Sequence, residues 1–394
     1  MPDNDKLDIL LEKFYNRFNK YNTKVLKKMG ETIKQFDKLT PSQAHILAQE
    51  LKYGNDIDEL LEELTKLSEK SMNEVQIVLD KVAEENVDFA ETCYKAKNKE
   101  FIKYKDNIQL KRYVESVAKE TDELFKNLSN ARNIGFTYKN AKGKTIFKPI
   151  KRIYNELIDE AVYNVSIGVQ DYQSAMRNAI KSLADSGVKI HEDKIAYTGG
   201  YSRRIDSSVK MNILTGVRQV NIGVQEIVGQ EIGADGVEIS AHYPCAEDHL
   251  FINGRQFSNK EFERINAYLD RPVGEYNCRH FVFSIVLGVT QPNYTDKQLK
   301  HMEKESIKIV EYDGNKYTKY EATQVQRKLE TEIRKQKDRQ IIAKASNDME
   351  EVQKAQEKIT QLINKYNDFS KSVELDTYKE NLTVSGYKRM KVRG

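Results

Sequence analysis

Tryptophan is absent from this chain, proline occurs six times and cysteine three times in 394 residues. Three cysteines cannot pair without a remainder, which argues against a disulfide framework and for a reducing compartment. No stretch approaches eighteen uninterrupted apolar residues, so no segment reads as a membrane-spanning helix. The opening MPDNDKLDILLEKF has no basic stretch followed by an apolar run and does not read as a secretory signal. Synthesis and folding in a cytoplasm is the expectation. A charge excess is lacking too. Lys and Arg number 64 against 60 Asp and Glu, a net of +4, so nucleic-acid binding would depend on where charges cluster.

What is abundant is charge of both signs. With 31% charged and 39% hydrophobic residues, the chain suits long, solvent-exposed helices, and its length allows two or three domains. Apolar side chains at Leu7, Leu11, Phe14, Phe18, Tyr21, Val25, Met29, Ile33 and Phe36 recur every three or four residues and predict one long helix. Thr40 and Pro41 supply the N-cap and first turn of the next. A further stripe runs from Ile57 through Leu60, Leu64, Leu67, Val75 and Val78 to Val82. NIGFTYKNAKGKTIFKPI changes period and predicts a hairpin turning near Gly143, followed by a long helix through Ile153, Leu157, Ala161, Val165, Val169, Tyr172, Met176 and Ile180 that Gly187 caps. Asp206 is the expected N-cap of the helix after it. GVEISAHY, INGRQF and CRHFVFSIVLGV read as short strands, and Asp313-Gly314 as a hairpin turn.

The expected fold is therefore α+β and mostly helical. It comprises an amphipathic helical region at 1–130, a hairpin plus long helix at 131–186, an α+β core with a short sheet at 187–292, and a charged helical C-terminal arm at 293–394.

HYPCAEDHLF (242–251) and EYNCRHFVF (275–283) hold two of the three cysteines and three of the six histidines. Three readings stand side by side. Cys245, His249, Cys278 and His280, with His242 in reserve, offer the ligand types of a tetrahedral zinc site, although the Cys-x-His spacing is tighter than usual. Cys278 beside His249 or His280 offers a nucleophile and base. Otherwise the cysteines are small buried apolar residues, and the histidines satisfy backbone groups at strand ends.

Arg203 and Arg204 follow a glycine turn before a helix, a geometry suited to an anion. Basic residues also cluster at Arg327, Lys328, Arg334, Lys335, Lys337 and Arg339 and again at 387–394. Residues 295–394 carry 22 Lys and Arg against 17 Asp and Glu, a net of +5. Such an arm suits sequence-independent contact with DNA phosphates. It equally suits a solvated helix face with i,i+4 pairs such as Glu330 with Arg334.

VEISAHYPCAEDHLFINGRQFS, followed after a spacer by NCRHFVF, resembles the core signature of the gram-positive phage minor capsid protein 2 family. That family is akin to the Mu F-like minor head proteins, in which an NCRH or NCRC element closes the domain. YTGGYSRRIDSSVKMNILTGVRQV and YDGNKYTKYEATQVQRKLETEIRKQKDR are similar to two further blocks of it, in the same order, over about residues 190–340. Family members often carry small and basic residues before the position of His249, where this chain has YPCAED, which makes Cys245 incidental and weakens a four-ligand zinc site.

The resemblance implies a minor structural protein of a phage head, located in the virion at or near the portal vertex. Its partners would be the portal protein, other head proteins and double-stranded DNA. No catalytic residue, metal or cofactor is assigned on this reading. His242, Asp248, His249, Gly254, Asn277, Cys278, Arg279 and His280 are expected to clamp one end of the small sheet. The competing classes are a Cys/His-dependent enzyme or toxin-like effector carried on a head-protein domain, and a zinc-stabilised helical protein associated with nucleic acid. The C-terminal hundred residues, almost without Gly, Pro or Cys, are poor material for an active site.

Overall fold

The structure is a computed structural model and describes residues 4–128, 130, 132–139, 142–169, 171–192, 201–274 and 278–390. Helix dominates it and small antiparallel sheets interrupt it, which is the mostly helical α+β class that the periodicities predict. Among the described residues no helix is long and apolar enough to cross a membrane.

The first stripe behaves as its spacing requires. Helix Asn4–Gln35 buries every residue from Leu7 to Ile33 named above, and Phe36 just after it is buried too, none more than 7% exposed. Helix Pro41–Tyr53 begins with a capping box. The Thr40 hydroxyl accepts the Gln43 backbone N–H, and the Gln43 side chain accepts the Thr40 N–H. The predicted hairpins are present as strands β1 (Ile134–Lys139) with β2 (Thr145–Pro149), and β8 (Ile309–Tyr312) with β9 (Asn315–Thr318). Between them lie β3 (Lys189–Glu192), β4 (Tyr201–Arg204), β5 (Gly236–Ile239), β6 (Gln256–Ser258) and β7 (Val282–Ile285). Asp313 and Gly314 both have positive φ, at 52° and 71°, the two-residue turn that matches strand twist.

Two local expectations need correction. The long helix through 153–180 is two helices, Ile150–Ser166 and Tyr172–Ser186. Gly168, at φ 71°, ends the first in a left-handed turn, and Asp171 caps the second by accepting the Ser174 N–H. Asp206 is no N-cap either. Strand β4 runs directly into helix Ile205–Ile232, and Asp206 sits buried in its first turn.

The chain divides into two compact units, each assembled from three separated stretches. One comprises Met1–Glu12, Ser71–Glu123 and Met211–Val325, the other Lys13–Lys70, Leu124–Lys210 and Gln326–Gly394.

The first unit contains the sheet β6-β5-β7. The free edge of β7 faces the helix carrying Asn221 and Gln225, two amides one turn apart. Asn221 accepts the Val282 N–H and donates to the Val282 carbonyl, both at 3.2 Å. Gln225 accepts the Ser284 N–H at 2.8 Å. The same two side chains donate to Asn86, at its side-chain oxygen and its carbonyl. A pair of helix side chains thus does the work of a further strand.

The second unit contains the sheet β2-β1-β3-β4. At the end of β4 Arg204 donates to Asp338 at 2.8 Å and lies 3.5 Å from Asp206. Both carboxylates are at most 1% exposed. Asn22 accepts the Val188 N–H and donates to Asp338, which ties the first helix to the same point. Arg177 is bidentate on Asp348, and Arg339 on Asp185.

Arg204→Ala would leave two buried carboxylates without their cation, and a loss of about 3–5 kcal/mol in denaturant-derived stability is expected. A loss below about 1 kcal/mol would show that the pair is already solvated. A second expectation concerns pH. Burial pushes Lys189 and Lys337 down to about 8. At these two positions the unfolded chain then holds more protons than the folded one between about pH 8 and 10, so their contribution to stability rises with pH across that window. The rise is at most about 1.4 kcal/mol per pH unit for each lysine. Denaturant midpoints across the window should rise more steeply in the parent than in a Lys189→Met, Lys337→Met double variant.

Candidate functional site

One end of the β6-β5-β7 sheet is where the two Cys/His stretches meet. The Ser240 N–H bonds the Phe281 carbonyl at 2.9 Å, and the Phe281 N–H bonds the Ser240 hydroxyl at 2.8 Å. The segment leading into β7 is thereby held beside the exit of β5. Gly254, at φ 73°, turns the chain back toward β6. A Cβ there would come within 2.5 Å of Leu299 and 3.0 Å of Ala241.

Asn253 is the hub of the crossing. Its side-chain oxygen accepts the His242 N–H at 2.9 Å and faces His280 Nε2 at 3.1 Å, while its amide nitrogen donates to the His242 carbonyl. Those two backbone contacts fix which way the amide points. His280 Nε2 must therefore carry a proton, and in the neutral ring Nδ1 is bare. His249 is held in the same manner, because its Nε2 lies 2.6 Å from the Arg271 carbonyl, which can only accept. Arg271 also grips Asp248 with two bonds of 2.9 and 2.6 Å, and this holds the Asp248 carboxyl below its usual range.

The two bare ring nitrogens face each other, His249 Nδ1 to His280 Nδ1, at 3.3 Å. Cys278 Sγ lies 3.5 Å from the second and 3.9 Å from the first. The His242 ring packs against His280 with ring centres 4.4 Å apart and planes tilted by 44°, and Cys245 Sγ is 3.8 Å from His280 Nε2. The side chains fall into two overlapping donor groups, His249–Cys278–His280 and His242–Cys245–His280.

Environment separates their protonation states. Burial pushes the Cys245 thiol up to about 12, His242 down to about 4 and His280 down to about 2. Burial is the largest single influence on Cys278 and His249 also and works against their charged forms, but their mutual hydrogen bond, bonds to backbone groups and their opposite charges together outweigh it. The Cys278 thiol ends below its ordinary value and His249 above. That is the polarity of a nucleophilic pair, yet His249 is 3% exposed, Cys278 5% and His280 2%. A thiolate so enclosed is poorly placed to reach a substrate.

Of the residues singled out from sequence, the structure brings together His242, Asp248, His249, Gly254, Cys278 and His280, with Cys245 alongside. Arg279 lies at the surface, and Asn277 is outside the described residues. Asn253 and Arg271 were missed. Asn253 had a signal in its Asn-Gly turn, whereas nothing in the sequence marks Arg271.

The basic residues are in the second unit and mostly engaged. Arg204 is committed to Asp338 and Asp206, and Arg203 pairs with Ile190 in the sheet. Arg334 donates to the Tyr15 hydroxyl, Lys335 pairs with Glu332, buried Lys337 donates to the Leu382 carbonyl, and Arg339 holds Asp185. Glu330 accepts from Tyr366 and Asn381. Arg327 and Lys328 are exposed.

The chain belongs to the phage minor capsid protein 2 family, whose model matches residues 3–371. It is thus a phage minor capsid protein. No curated protein and no solved structure matches it.

Asn253→Ala removes the hub and leaves a buried N–H, a carbonyl and a ring N–H without partners. Denaturant unfolding of the full chain should show a loss of roughly 3 kcal/mol. A change under about 0.5 kcal/mol, the range of an ordinary surface substitution, would mean that the crossing does not hold the sheet end.

Proposed function

We propose that this protein is a minor structural component of the phage head, made in the host cytoplasm and incorporated at or near the portal vertex. It contacts the portal protein and other head proteins and breaks no bonds. The family match over 3–371 carries this reading. Enclosure of the Cys278–His249 pair supports its non-enzymatic part, because the one polarised thiol among the described residues is buried with its base.

A second contact, with packaged duplex DNA through phosphates alone, falls in our reading to the exposed cations Arg327, Lys328, Lys388 and Arg389. It is weaker than composition suggests, because Arg204, Lys337 and Arg339 are spent inside the second unit.

Assembled particles, gently disrupted, should yield portal complexes that retain this chain. Recovery of the portal without it, with the chain released among unassembled subunits, would sink the vertex assignment. For DNA, the slope of binding against salt should shrink by about 0.9 for each cation removed in an Arg327→Gln, Lys328→Gln variant. No retention by the full chain at low salt would remove DNA from the list of partners.

A further inference from the structure

The centre formed by His249, Cys278 and His280 has a geometric property that the clamp does not need. Three donor atoms converge on one point, with separations of 3.3, 3.5 and 3.9 Å. Tetrahedral zinc, with bonds of about 2.05 Å to nitrogen and about 2.3 Å to sulfur, sets its nitrogen ligands about 3.4 Å apart. The same geometry puts nitrogen and sulfur about 3.6 Å apart. The three edges of the site follow that pattern, the longest by a few tenths of an ångström.

The lone pairs also point inward for a reason independent of distance. Each histidine spends its other ring nitrogen on an acceptor, His249 on the Arg271 carbonyl and His280 on the Asn253 side-chain oxygen. A ligating histidine is oriented in this way, because the outer hydrogen bond fixes the tautomer and leaves the inner nitrogen to the metal. Without a cation between them, two bare nitrogens 3.3 Å apart repel, and the single Cys278 proton can serve only one.

We propose that His249 Nδ1, His280 Nδ1 and Cys278 Sγ bind one zinc ion. Two imidazoles and a thiolate form a donor set suited to zinc, and the Cys278 proton is released to solvent on binding. The set differs from the four-ligand arrangement that the residue types in the sequence offered. Cys245 approaches the opposite, protonated nitrogen of His280 and is not a ligand. Among the described residues no other side chain joins these three donors. The fourth position is taken by water or another oxygen donor.

The test uses the full-length protein, stripped with a chelator at neutral pH and titrated with zinc chloride against a chromophoric competitor, then with cobalt(II). One zinc per chain is expected, and the cobalt form should show tetrahedral d–d bands with a thiolate charge-transfer band. Cys278→Ser should weaken zinc by more than about a hundredfold, beyond the effect of a lost outer partner. Cys245→Ser should leave affinity within about threefold, since losing a mere neighbour costs less than losing an outer hydrogen bond.

Folded protein that takes up no zinc at micromolar concentration would overturn the proposal, and a proton would then be what occupies the centre. Cobalt bound without the thiolate band would overturn it too, as would a loss on Cys245→Ser equal to that on Cys278→Ser. Should Cys278→Ser not fold, the cobalt spectrum of the unsubstituted protein decides.

Discussion

Backbone N–H and C=O groups on a strand edge need partners wherever water is excluded, and β7 has a helix lying where another strand would be. Two amides one helical turn apart, Asn221 and Gln225, reach the alternate residues Val282 and Ser284 that a neighbouring strand would bond. The spacing works because a helical turn rises about 5.4 Å and two strand residues span about 6.6 Å. This fit fixes the register of β7 against the helix, and with it the positions of Cys278 and His280 just before the strand. An apolar residue at 221 would leave the Val282 N–H and carbonyl unpaired inside the fold. The Cys/His crossing is downstream of that edge.

The second unit meets the same problem with charge instead of amides. A nearly neutral composition gives no hint that Asp338 joins Arg204 and Asp206 at the end of β4, because it lies 134 residues from Arg204 in the chain. Their burial costs desolvation that the pairing offsets, so the arrangement contributes uniqueness more than stability. Exposed pairs elsewhere, such as Lys95 with Glu91, add little. The small net charge of +4 leaves only a modest field for any polyanion.

Much of the fold was legible because helix periodicity is a local property. The Leu7–Phe36 stripe, the Thr40 capping box and the Asp313-Gly314 turn each depend on residues a few positions apart, and each is present. The break at Gly168 was missed because apolar spacing continues across it. A glycine followed three residues later by Asp171 was the available sign. Asp206 misled for a related reason: an acidic residue at a helix start reads as a cap, but here it pairs with Arg204, which also holds the distant Asp338. In the site, residue types announced the Cys/His convergence, whereas Asn253 acts by bonding the His242 backbone and Arg271 by offering its own carbonyl, contacts that residue type alone does not mark.

The same three side chains, Cys278, His249 and His280, would serve catalysis in another setting, and access is what separates the two uses. A nucleophilic cysteine needs its thiolate within reach of a carbonyl carbon, with room for a tetrahedral adduct and donors for the oxyanion. Here the sulfur faces two ring nitrogens, and the remaining bonds of those rings are anchored to a backbone carbonyl and to an amide that itself grips the backbone. Rotating either ring to act as a base would break those anchors and loosen β5, the Gly254 turn and β7 together. A general base must change partners during a reaction; these histidines are fastened to keep theirs. The rigidity that makes the pair poor for turnover is what a sheet end, or an ion held within it, requires.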